Sequence, residues 1–354
     1  MKSIYLSGKA GSGKTAVAMP FALKLKEEGF QVAYLKPQGY RKCHTKTEDD
    51  DIQFMKDVLG LSVDNQSISP VTLTQFYLCS CAEDTIESAL QKADAAYNKL
   101  AKENDVVIIE GSVNPFVGGS YQMDDFSLSQ RWGASMLHIL RADDDYEFDT
   151  SFIYLKYAEA LDLPVLGCIF NNTSDAQWDV TRNIYKNTVE LTGIPVLGIL
   201  PSRRSISSPT ANEFLKSLNG ELITGEENLD RQVENITVGT MTIESALSYL
   251  RRSPNKAVIT GGDRSDMALT ALETSTSVLI LTGGLYPDVG VISRAEEKGV
   301  PIILLHQDTF STIENIHNVY RTINPRNEEA IRILKKDFDQ NVDFESIKKY
   351  LQKT

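Results

Sequence analysis

Short apolar runs alternate with stretches of helical hydrophobic spacing along the first part of the chain. The runs predict buried strands at 2–7, 31–36, 105–109, 135–140, 164–170 and 195–200. The helical spacings predict helices over Ala16–Glu28 and over residues 51–59, 83–103, 149–162 and 176–192. Such alternation predicts an α/β fold, a parallel sheet with helices on both faces, whose ligands bind at the carboxyl ends of the strands.

The same alternation begins again after an acidic, irregular stretch at 221–235, which is typical of a linker. The second part predicts strands at 236–239, 256–260, 277–282 and 300–305, and helices at 242–250, 265–274, 289–298 and 311–320. We therefore expect a first domain over 1–220 and a second, smaller α/β domain over 236–323. Residues 324–354 read as a charged helical tail that packs on the surface or on a partner.

A glycine-rich loop that fits G-x-x-x-x-G-K-[ST] follows the first predicted strand. It reads Gly8-Lys9-Ala10-Gly11-Ser12-Gly13-Lys14-Thr15. Its glycines let backbone N–H groups approach nucleotide phosphates, Lys14 reaches the outer phosphates and Thr15 can ligate Mg²⁺. The loop therefore predicts nucleotide binding. Lys9 is open to two interpretations: a second lysine that reaches the nucleotide of a partner subunit, or an exposed loop lysine.

Further charged residues stand at the ends of predicted strands. Glu110 ends a fully apolar strand beside the expected phosphate position, where Mg²⁺ commonly takes carboxylates and a hydroxyl. Lys36 closes the second strand and could hold a substrate carboxylate or a transferring phosphate. Asp51, with Asp50 as the alternative, opens a helix, where composition alone indicates a cap.

Charge and composition restrict the partners. The net charge of −12 excludes the basic surface that nucleic acid or an anionic membrane needs, and no apolar run is long enough to span a bilayer. We expect a cytoplasmic protein. The four cysteines and four histidines lack metal-ligand spacing and are expected to be reduced thiols and structural or surface groups; they are Cys43, Cys79, Cys81, Cys168, His44, His138, His306 and His317.

Several segments, in order along the chain, resemble the dethiobiotin synthetase-like branch of P-loop proteins. This branch includes cobyrinic acid a,c-diamide synthase and the N-terminal region of long-form phosphate acetyltransferases. The similar segments are the loop Gly8 to Thr15, Leu35-Lys36-Pro37, Asp51 to Met55, Ile108 to Gly111, Gly167 to Asn171 and Pro195 to Pro201. The resemblance implies ATP as the nucleotide, Asn171 at its adenine, Pro201 in the purine-side loop, and Thr15, Asp51 and Glu110 as Mg²⁺ ligands.

In the second region, the glycine turns Gly262-Asp263-Arg264 and Thr282-Gly283-Gly284 follow predicted strands. With these turns the region resembles the DRTGG domain, which is associated with regulation and subunit contacts. Two glycine turns after predicted strands carry this likeness and form a candidate ligand cleft, although tight βα connections are an equal alternative. The candidate ligand residues are Gly262, Asp263, Arg264, Thr282, Gly283 and Gly284.

Three functions are compatible with these resemblances. The first is an ATP-binding protein with slow ATPase activity, whose DRTGG-like domain senses a metabolite or partner. The second is a ligase that phosphorylates a carboxylate held by Lys36, with Lys14 as the lysine that neutralises the transferring phosphoryl group. Ser112-Val113-Asn114-Pro115 departs from the synthetase pocket and favours the first. The third is an assembly scaffold, and a homodimer is expected because the branch binds nucleotide near a two-fold interface. Since the acetyltransferase domain has no counterpart here, acetyl transfer is not expected.

Overall fold

A computed structural model gives the architecture of the protein. It describes residues 2–41, 50–74, 77–80, 86–203, 206, 208–316 and 328–352, with the backbone alone for Arg41, Asp50, Cys79, Ser80, Ile86 and Glu244. Cys43, His44, Cys81 and His317 therefore lie outside the described residues. The chain divides into two compact units, Met1–Ser202 with Ile323–Thr354, and Arg203–Thr322.

The first unit is built on a six-stranded parallel sheet. The strands of this unit are β1 Lys2–Ser7, β2 Val32–Leu35, β3 Gln38–Arg41, β4 Val71–Thr74, β5 Val106–Glu110, β6 Ser135–Leu140, β7 Val165–Thr173 and β8 Val196–Pro201. The order in the sheet is β2-β5-β1-β6-β7-β8, and β3 and β4 form a separate parallel pair. β1 therefore lies between β5 and β6, with Leu6 beside Glu110 and Ser7 beside His138. This order brings the P-loop and Glu110 to the same edge.

Helices cover both faces of this sheet. They are α1 Lys14–Glu27, α2 Asp50–Leu59, α3 Asn65–Ile68, α4 Tyr77–Ser80, α5 Ile86–Glu103, α6 Asp125–Trp132, α7 Asp145–Ala160, α8 Trp178–Val180 and α9 Lys186–Glu190. A π-helical turn joins α8 to α9. One core contains Val17, Phe21 and Leu25 of α1, and the opposite core contains Ala93, Tyr97 and Leu100 of α5. Cores on both sides explain the apolar runs inside β1 and β5, Ile4–Leu6 and Val106–Ile109.

The second unit has a five-stranded sheet. Its elements are α10 Ala211–Ser217, β9 Glu221–Thr224, β10 Asn235–Val238, α11 Ile243–Leu250, β11 Lys256–Gly261, α12 Ser265–Leu272, β12 Thr276–Thr282, α13 Val289–Lys298, β13 Ile302–Leu304 and α14 Thr309–Ile316. The order is β10-β11-β12-β13-β9, with β9 antiparallel to β13 and the other pairs parallel. The α/β class expected for both regions is confirmed.

The linker predicted at 221–235 requires correction, because it contains the edge strand β9. The sequence signal was weak since the four residues of β9 are at most half-buried. The predicted domain boundary at 220 also moves toward the N-terminus. Ala211, Phe214 and Leu218 pack in the core of the second unit, so this unit includes α10.

The C-terminal tail returns to the first unit as α15 Glu328–Asn341 and α16 Phe344–Gln352. The ring of Phe338 stacks 6.0 Å from that of Phe21 on α1, and the Phe344 ring lies edge-on at 6.3 Å. A β-bridge joins Val342 to Gly198 of β8. The described tail helices therefore pack on the chain's own first unit. None of the helices in the described part of the chain is long and apolar enough to cross a membrane.

Candidate nucleotide-binding site

The P-loop has the backbone conformation that its glycines predict. Gly11 and Gly13 adopt left-handed φ angles of 72° and 81°, which few other residues tolerate. A Cβ on Gly13 would also collide with the amide of Asn171. Lys14, which opens α1, is buried, and its Nζ donates to the carbonyls of Gly8 at 2.7 Å and Lys9 at 3.3 Å. The Lys14 side chain thus folds back along the loop that is predicted to bind the nucleotide phosphates.

Thr15 and Glu110 meet at the mouth of this loop. The Thr15 hydroxyl donates to Glu110 Oε1 at 2.8 Å, and the Tyr34 hydroxyl donates to Glu110 Oε2 at 2.9 Å. The side chain of Glu110 is only 2% exposed. Burial is the main reason why the pKa of Glu110 is raised above its usual range, although the ammonium of Lys36 opposes the rise.

Lys36 places a positive charge between two acids. Its Nζ lies 2.8 Å from Asp51 Oδ2 and 3.5 Å from Glu110 Oε1. Burial by itself would raise the pKa of Asp51, but the charge of Lys36 and hydrogen bonds from Lys36 and Thr15 outweigh burial and hold the pKa below its ordinary value. Side chains predicted from three separate segments therefore converge on one small volume beside the P-loop.

This cluster has the donors that Mg²⁺ prefers, namely a hydroxyl and carboxylate oxygens. Asp51 and Glu110 flank the ammonium of Lys36, and the Thr15 hydroxyl donates to Glu110, so a cation already balances the two acids at this position. The residues thus fit the predicted metal. In the described residues, no group of three or more His, Cys, Asp or Glu side chains is placed to hold a metal by itself.

Asn171 and Pro201 lie at the carboxyl ends of their strands, as expected. Asn171 is in β7, and its amide Nδ2 donates to the carbonyl of Ser12 at 2.8 Å. Pro201 is the last residue of β8 and pairs with Thr173. Asn171 therefore supports the P-loop backbone, and its contact with adenine stays a prediction.

Lys9 has a partner within its own chain. Its ammonium forms an ion pair with Glu147 in the first turn of α7, and its side chain is only 16% exposed. Burial and the nearby Arg141 lower the pKa of Lys9. The exposed-lysine interpretation is therefore not what the structure shows, and reaching a partner subunit would require the pair with Glu147 to open.

Two polar residues beside the loop were not singled out from the sequence. Asn114 accepts a hydrogen bond from the backbone N–H of Ala10 at 3.1 Å. Asp125, at the start of α6, is fully buried and accepts from the Ser7 hydroxyl at 2.7 Å. The only sequence signal for Asp125 is the pair Asp124-Asp125 before a helix, which by itself is typical of a cap.

A cavity of the second unit coincides only in part with the predicted ligand residues. A cavity of about 240 Å³ lies at the carboxyl ends of β10 and β11. It is lined by Val238, Gly239, Thr240, Ile259, Thr260, Gly261, Arg264 and Thr309. Of the six predicted residues, only Arg264 is among these. Thr282 is adjacent, since its hydroxyl lies 2.7 Å from that of Thr309. Gly262, Asp263, Gly283 and Gly284 do not line this cavity, because β10 supplies the wall that β12 was expected to give.

The fold and the loop define a P-loop nucleotide-binding unit followed by a second α/β unit. The chain belongs to the AAA domain family AAA_26, whose profile matches residues 2–210, more than half of the chain. The DRTGG domain profile matches residues 213–319. The expected family and the expected order of domains are thereby confirmed.

The relatives agree with this assignment. The phosphate acetyltransferase of Nitratidesulfovibrio vulgaris is 24% identical, with 96% of this chain and 50% of that protein covered. The ATP-dependent dethiobiotin synthetase BioD of Aquifex aeolicus is 26% identical, with 55% of this chain and 86% of that protein covered. The chain thus spans about half the length of the curated phosphate acetyltransferases that it matches, and it is similar to their N-terminal region.

Solved structures match as well, and two of them are described below. The CBS and DRTGG domains of the regulatory region of Clostridium perfringens pyrophosphatase give a TM-score of 0.28 at 18% identity, covering 43% of this chain and 72% of that one. The septum site-determining protein MinD of Pyrococcus horikoshii gives 0.35 at 15% identity, covering 58% and 83%. TM-scores this low carry no argument about function.

Proposed function

We propose that the chain binds ATP with Mg²⁺ at its P-loop, hydrolyses it slowly, and serves a regulatory or metabolite-sensing role through its DRTGG domain. The observation that carries the proposal is the convergence of Thr15, Lys36, Asp51 and Glu110 beside the P-loop. Four such groups from distant segments, partly buried, are costly to assemble. Similarity to an ATP-dependent synthetase supports ATP as the nucleotide.

The chain's own groups provide the nucleotide contacts. Backbone N–H groups of the loop and of the first turn of α1 bind the phosphates. Lys14 would exchange its contact with the Gly8 carbonyl for a phosphate oxygen, which offsets the burial that lowers its pKa. Thr15, Asp51 and Glu110 would hold Mg²⁺, which when bound neutralises charge on the phosphates.

Lys36 is the group that responds to the metal. In the structure its ammonium is the counter-ion of Asp51 and Glu110. When those acids hold a divalent cation, repulsion favours moving Lys36 toward the transferring phosphate or toward a carboxylate ligand. Catalytic roles for Lys14 and Lys36, and a partner-subunit role for Lys9, belong to this proposal.

Regulation is proposed for the cavity of the second unit. Arg264 at its wall, with the hydroxyls of Thr240, Thr260 and Thr309, offers donors to a small anionic metabolite. Within the described residues, the guanidinium has an exposed contact with Asp266 at 3.3 Å and a contact with the Met241 carbonyl at 3.4 Å. We also propose a homodimer and a cytoplasmic location, on the basis of the family resemblance and the acidic composition.

Isothermal titration with ATP and Mg²⁺ tests nucleotide binding, with Lys14→Ala as the variant and Lys216→Ala, on the surface of the second unit, as the matched control. We expect Lys14→Ala to weaken binding by about a hundredfold, since it removes a charged contact to the phosphates. The control should bind as wild type does. Equal affinity of wild type and Lys14→Ala would overturn the proposal.

A ligase of the dethiobiotin synthetase or cobyrinic acid a,c-diamide synthase type is the second candidate, and two polar atoms favour it. Gln38 Oε1 and Ser112 Oγ are buried without a hydrogen-bond partner in the described part of the chain. Leaving such atoms unpaired costs roughly 1–3 kcal/mol each, a cost that a bound substrate would remove. Both residues lie close in sequence to Lys36 or Glu110.

A screen of carboxylic and amino acids for stimulated ADP release separates the two candidates. Stimulation by one acid, lost in Lys36→Ala and reduced in Gln38→Leu, would establish the ligase. A flat response across the set, with intact ATP binding, would support the regulatory protein.

A further inference from the structure

Asp125 is a buried carboxylate that its own helix does not need. The preceding residue, Asp124, is the N-cap of α6 and accepts from the backbone N–H groups of Phe126 and Ser127. Asp125 instead turns inward. Its carboxylate accepts from the Ser7 hydroxyl at 2.7 Å, from the backbone N–H of Ser112 at 3.2 Å and from the Tyr5 hydroxyl at 3.3 Å.

These contacts connect the two strands that carry the candidate site. Ser7 is the last residue of β1, directly before the P-loop, and Ser112 follows the Glu110-Gly111 end of β5. Space for the carboxylate depends on Gly111, because a Cβ there would lie 2.3 Å from Asp125 Oδ2. The sheet itself pairs Leu6 with Glu110, and the backbone N–H of Gly111 donates to the Leu6 carbonyl at 2.9 Å. Beyond that pair, Asp125 joins the last residue of β1 to the segment that follows β5. Asn114 and Glu110 also connect this region to the P-loop, through Ala10 and Thr15.

Burial makes the charged form of Asp125 unfavourable at this position. Burial raises its pKa to about 7, against the hydrogen bond from Ser7 and the charge of Lys14, which both lower it. The ionisable groups that interact electrostatically with the Asp125 carboxylate are Tyr5 of β1, Lys14 of α1, the adjacent Asp124 and Tyr154 of α7. A destabilising buried acid that accepts three converging donors indicates a functional constraint rather than a stabilising contact.

We infer that Asp125 is a positioning residue, which sets the P-loop hydroxyl of Thr15 against the carboxylate of Glu110 and thereby makes nucleotide binding depend on Mg²⁺. The inference rests on the proposed function. Asn at this position presents one acceptor and a donor, so it cannot accept from Ser7, Ser112 and Tyr5 together. The connection between Ser7 and Ser112 is then weakened, so the β5 exit can shift against the loop, and shifts of a fraction of an ångström disturb the octahedral geometry that Mg²⁺ demands.

The experiment measures the dissociation constant for ATP with Mg²⁺ and with EDTA, in wild type, Asp125→Asn, Glu110→Gln and Asp124→Asn. Wild type should bind more tightly with Mg²⁺, and Glu110→Gln should lose that gain. We expect Asp125→Asn to lose about tenfold in affinity with Mg²⁺ while its affinity in EDTA stays within about twofold of wild type. Asp124→Asn should behave as wild type, because Asn is an equally good N-cap.

Three outcomes would overturn the inference. The first is that Mg²⁺ increases the ATP affinity of Asp125→Asn as much as that of wild type. The second is that Asp125→Asn loses ATP affinity equally with Mg²⁺ and with EDTA, which would mean that Asp125 supports only the fold. If Asp125→Asn does not fold, Ser7→Ala removes the shortest of the three hydrogen bonds, and an unchanged Mg²⁺ gain in that variant would be the third. If wild type binds no ATP, the proposed function fails instead. If Glu110→Gln still binds ATP more tightly with Mg²⁺ than with EDTA, the assignment of Glu110 as a metal ligand is wrong, and the inference about Asp125 is judged from its own variants.

Discussion

The two units of this chain share an architecture and differ in where they bury charge. In both, helices cover a mainly parallel sheet and loops gather at the carboxyl ends of the strands. In the first unit, Lys14, Lys36, Glu110 and Asp125 are buried at that edge. The corresponding edge of the second unit has threonines and Arg264 around a small cavity. The same fold class therefore carries several buried charged side chains at this edge in the first unit and mainly neutral hydroxyl groups in the second.

The difference identifies which site is built for a highly charged ligand. Buried charges cost stability unless partners satisfy them, so a cluster of them is retained where a ligand or reaction needs it. A single guanidinium at a cavity wall costs little and suits a weaker, smaller ligand. Four experiments would break or sharpen this contrast, and they follow from the largest expected effect to the smallest.

Truncating one core phenylalanine in each unit tests whether the tail belongs to the first. Phe338 of α15 and Phe214 of α10 are equally buried, and each change to Ala should cost about 3–5 kcal/mol of unfolding free energy. Thermal unfolding with and without ATP identifies the first unit, because bound nucleotide raises only its transition. We expect Phe338→Ala to lower that transition and Phe214→Ala to lower the other. The reverse assignment would contradict the position of the tail.

Two buried lysines form the second matched pair. Lys36→Met leaves Asp51 and Glu110 without their cation and should cost about 3 kcal/mol. Lys256 of the second unit has no acidic partner in the structure as described, and its Nζ donates to the Ser275 carbonyl at 2.9 Å.

Lys256→Met should therefore be neutral or stabilising when urea denaturation is measured at pH 7. Burial lowers the pKa of Lys256 to about 8, below its value in the unfolded chain. Wild-type stability then rises as the pH increases from about 8 to about 10, so the advantage of the variant should shrink over that range. Equal losses in both lysine variants would refute the contrast.

Asp125→Asn predicts a pH-dependent difference in stability. The folded-state pKa of about 7 lies above that of an aspartate in the unfolded chain, so wild-type stability falls as the pH rises through the interval between the two values. The variant has no charge to bury. Relative to wild type it should gain roughly 2 kcal/mol between pH 5 and pH 8 in denaturant titrations. Asp263→Asn, at an exposed position of the second unit, serves as the control.

Glu147→Gln should have the smallest effect. The ion pair between Glu147 and Lys9 is partly exposed, so its loss should change the unfolding free energy by less than about 1 kcal/mol. A pair this weak can open, which the partner-subunit role of Lys9 requires. Sedimentation of Glu147→Gln with ATP tests this role. Because the variant releases Lys9, a nucleotide-dependent dimer should be at least as stable as that of wild type. A loss above about 2 kcal/mol would make Lys9 a structural residue.

Local patterns were sufficient for most strands and for the P-loop. β1 and β5 are buried on both faces, so their apolar runs are continuous, and the glycine spacing of the loop allows few other conformations. β9 was missed because a four-residue edge strand with one exposed and three partly buried residues shows almost no alternation of apolar and polar positions. The tail helices were predicted as helices, but amphipathic faces do not state which surface covers them.

By itself, then, the sequence determined the fold class, the nucleotide loop and the types of residue at the strand ends, since these depend on neighbours along the chain. Only the tertiary structure decided that Lys36 sits between Asp51 and Glu110, that Lys9 pairs with Glu147 and that Asp125 turns inward while Asp124 caps the helix. Those outcomes depend on strand order and on the packing of segments far apart in sequence. A carboxylate in a local pattern looks the same whether it faces water or a buried partner, and its surroundings alone distinguish the two.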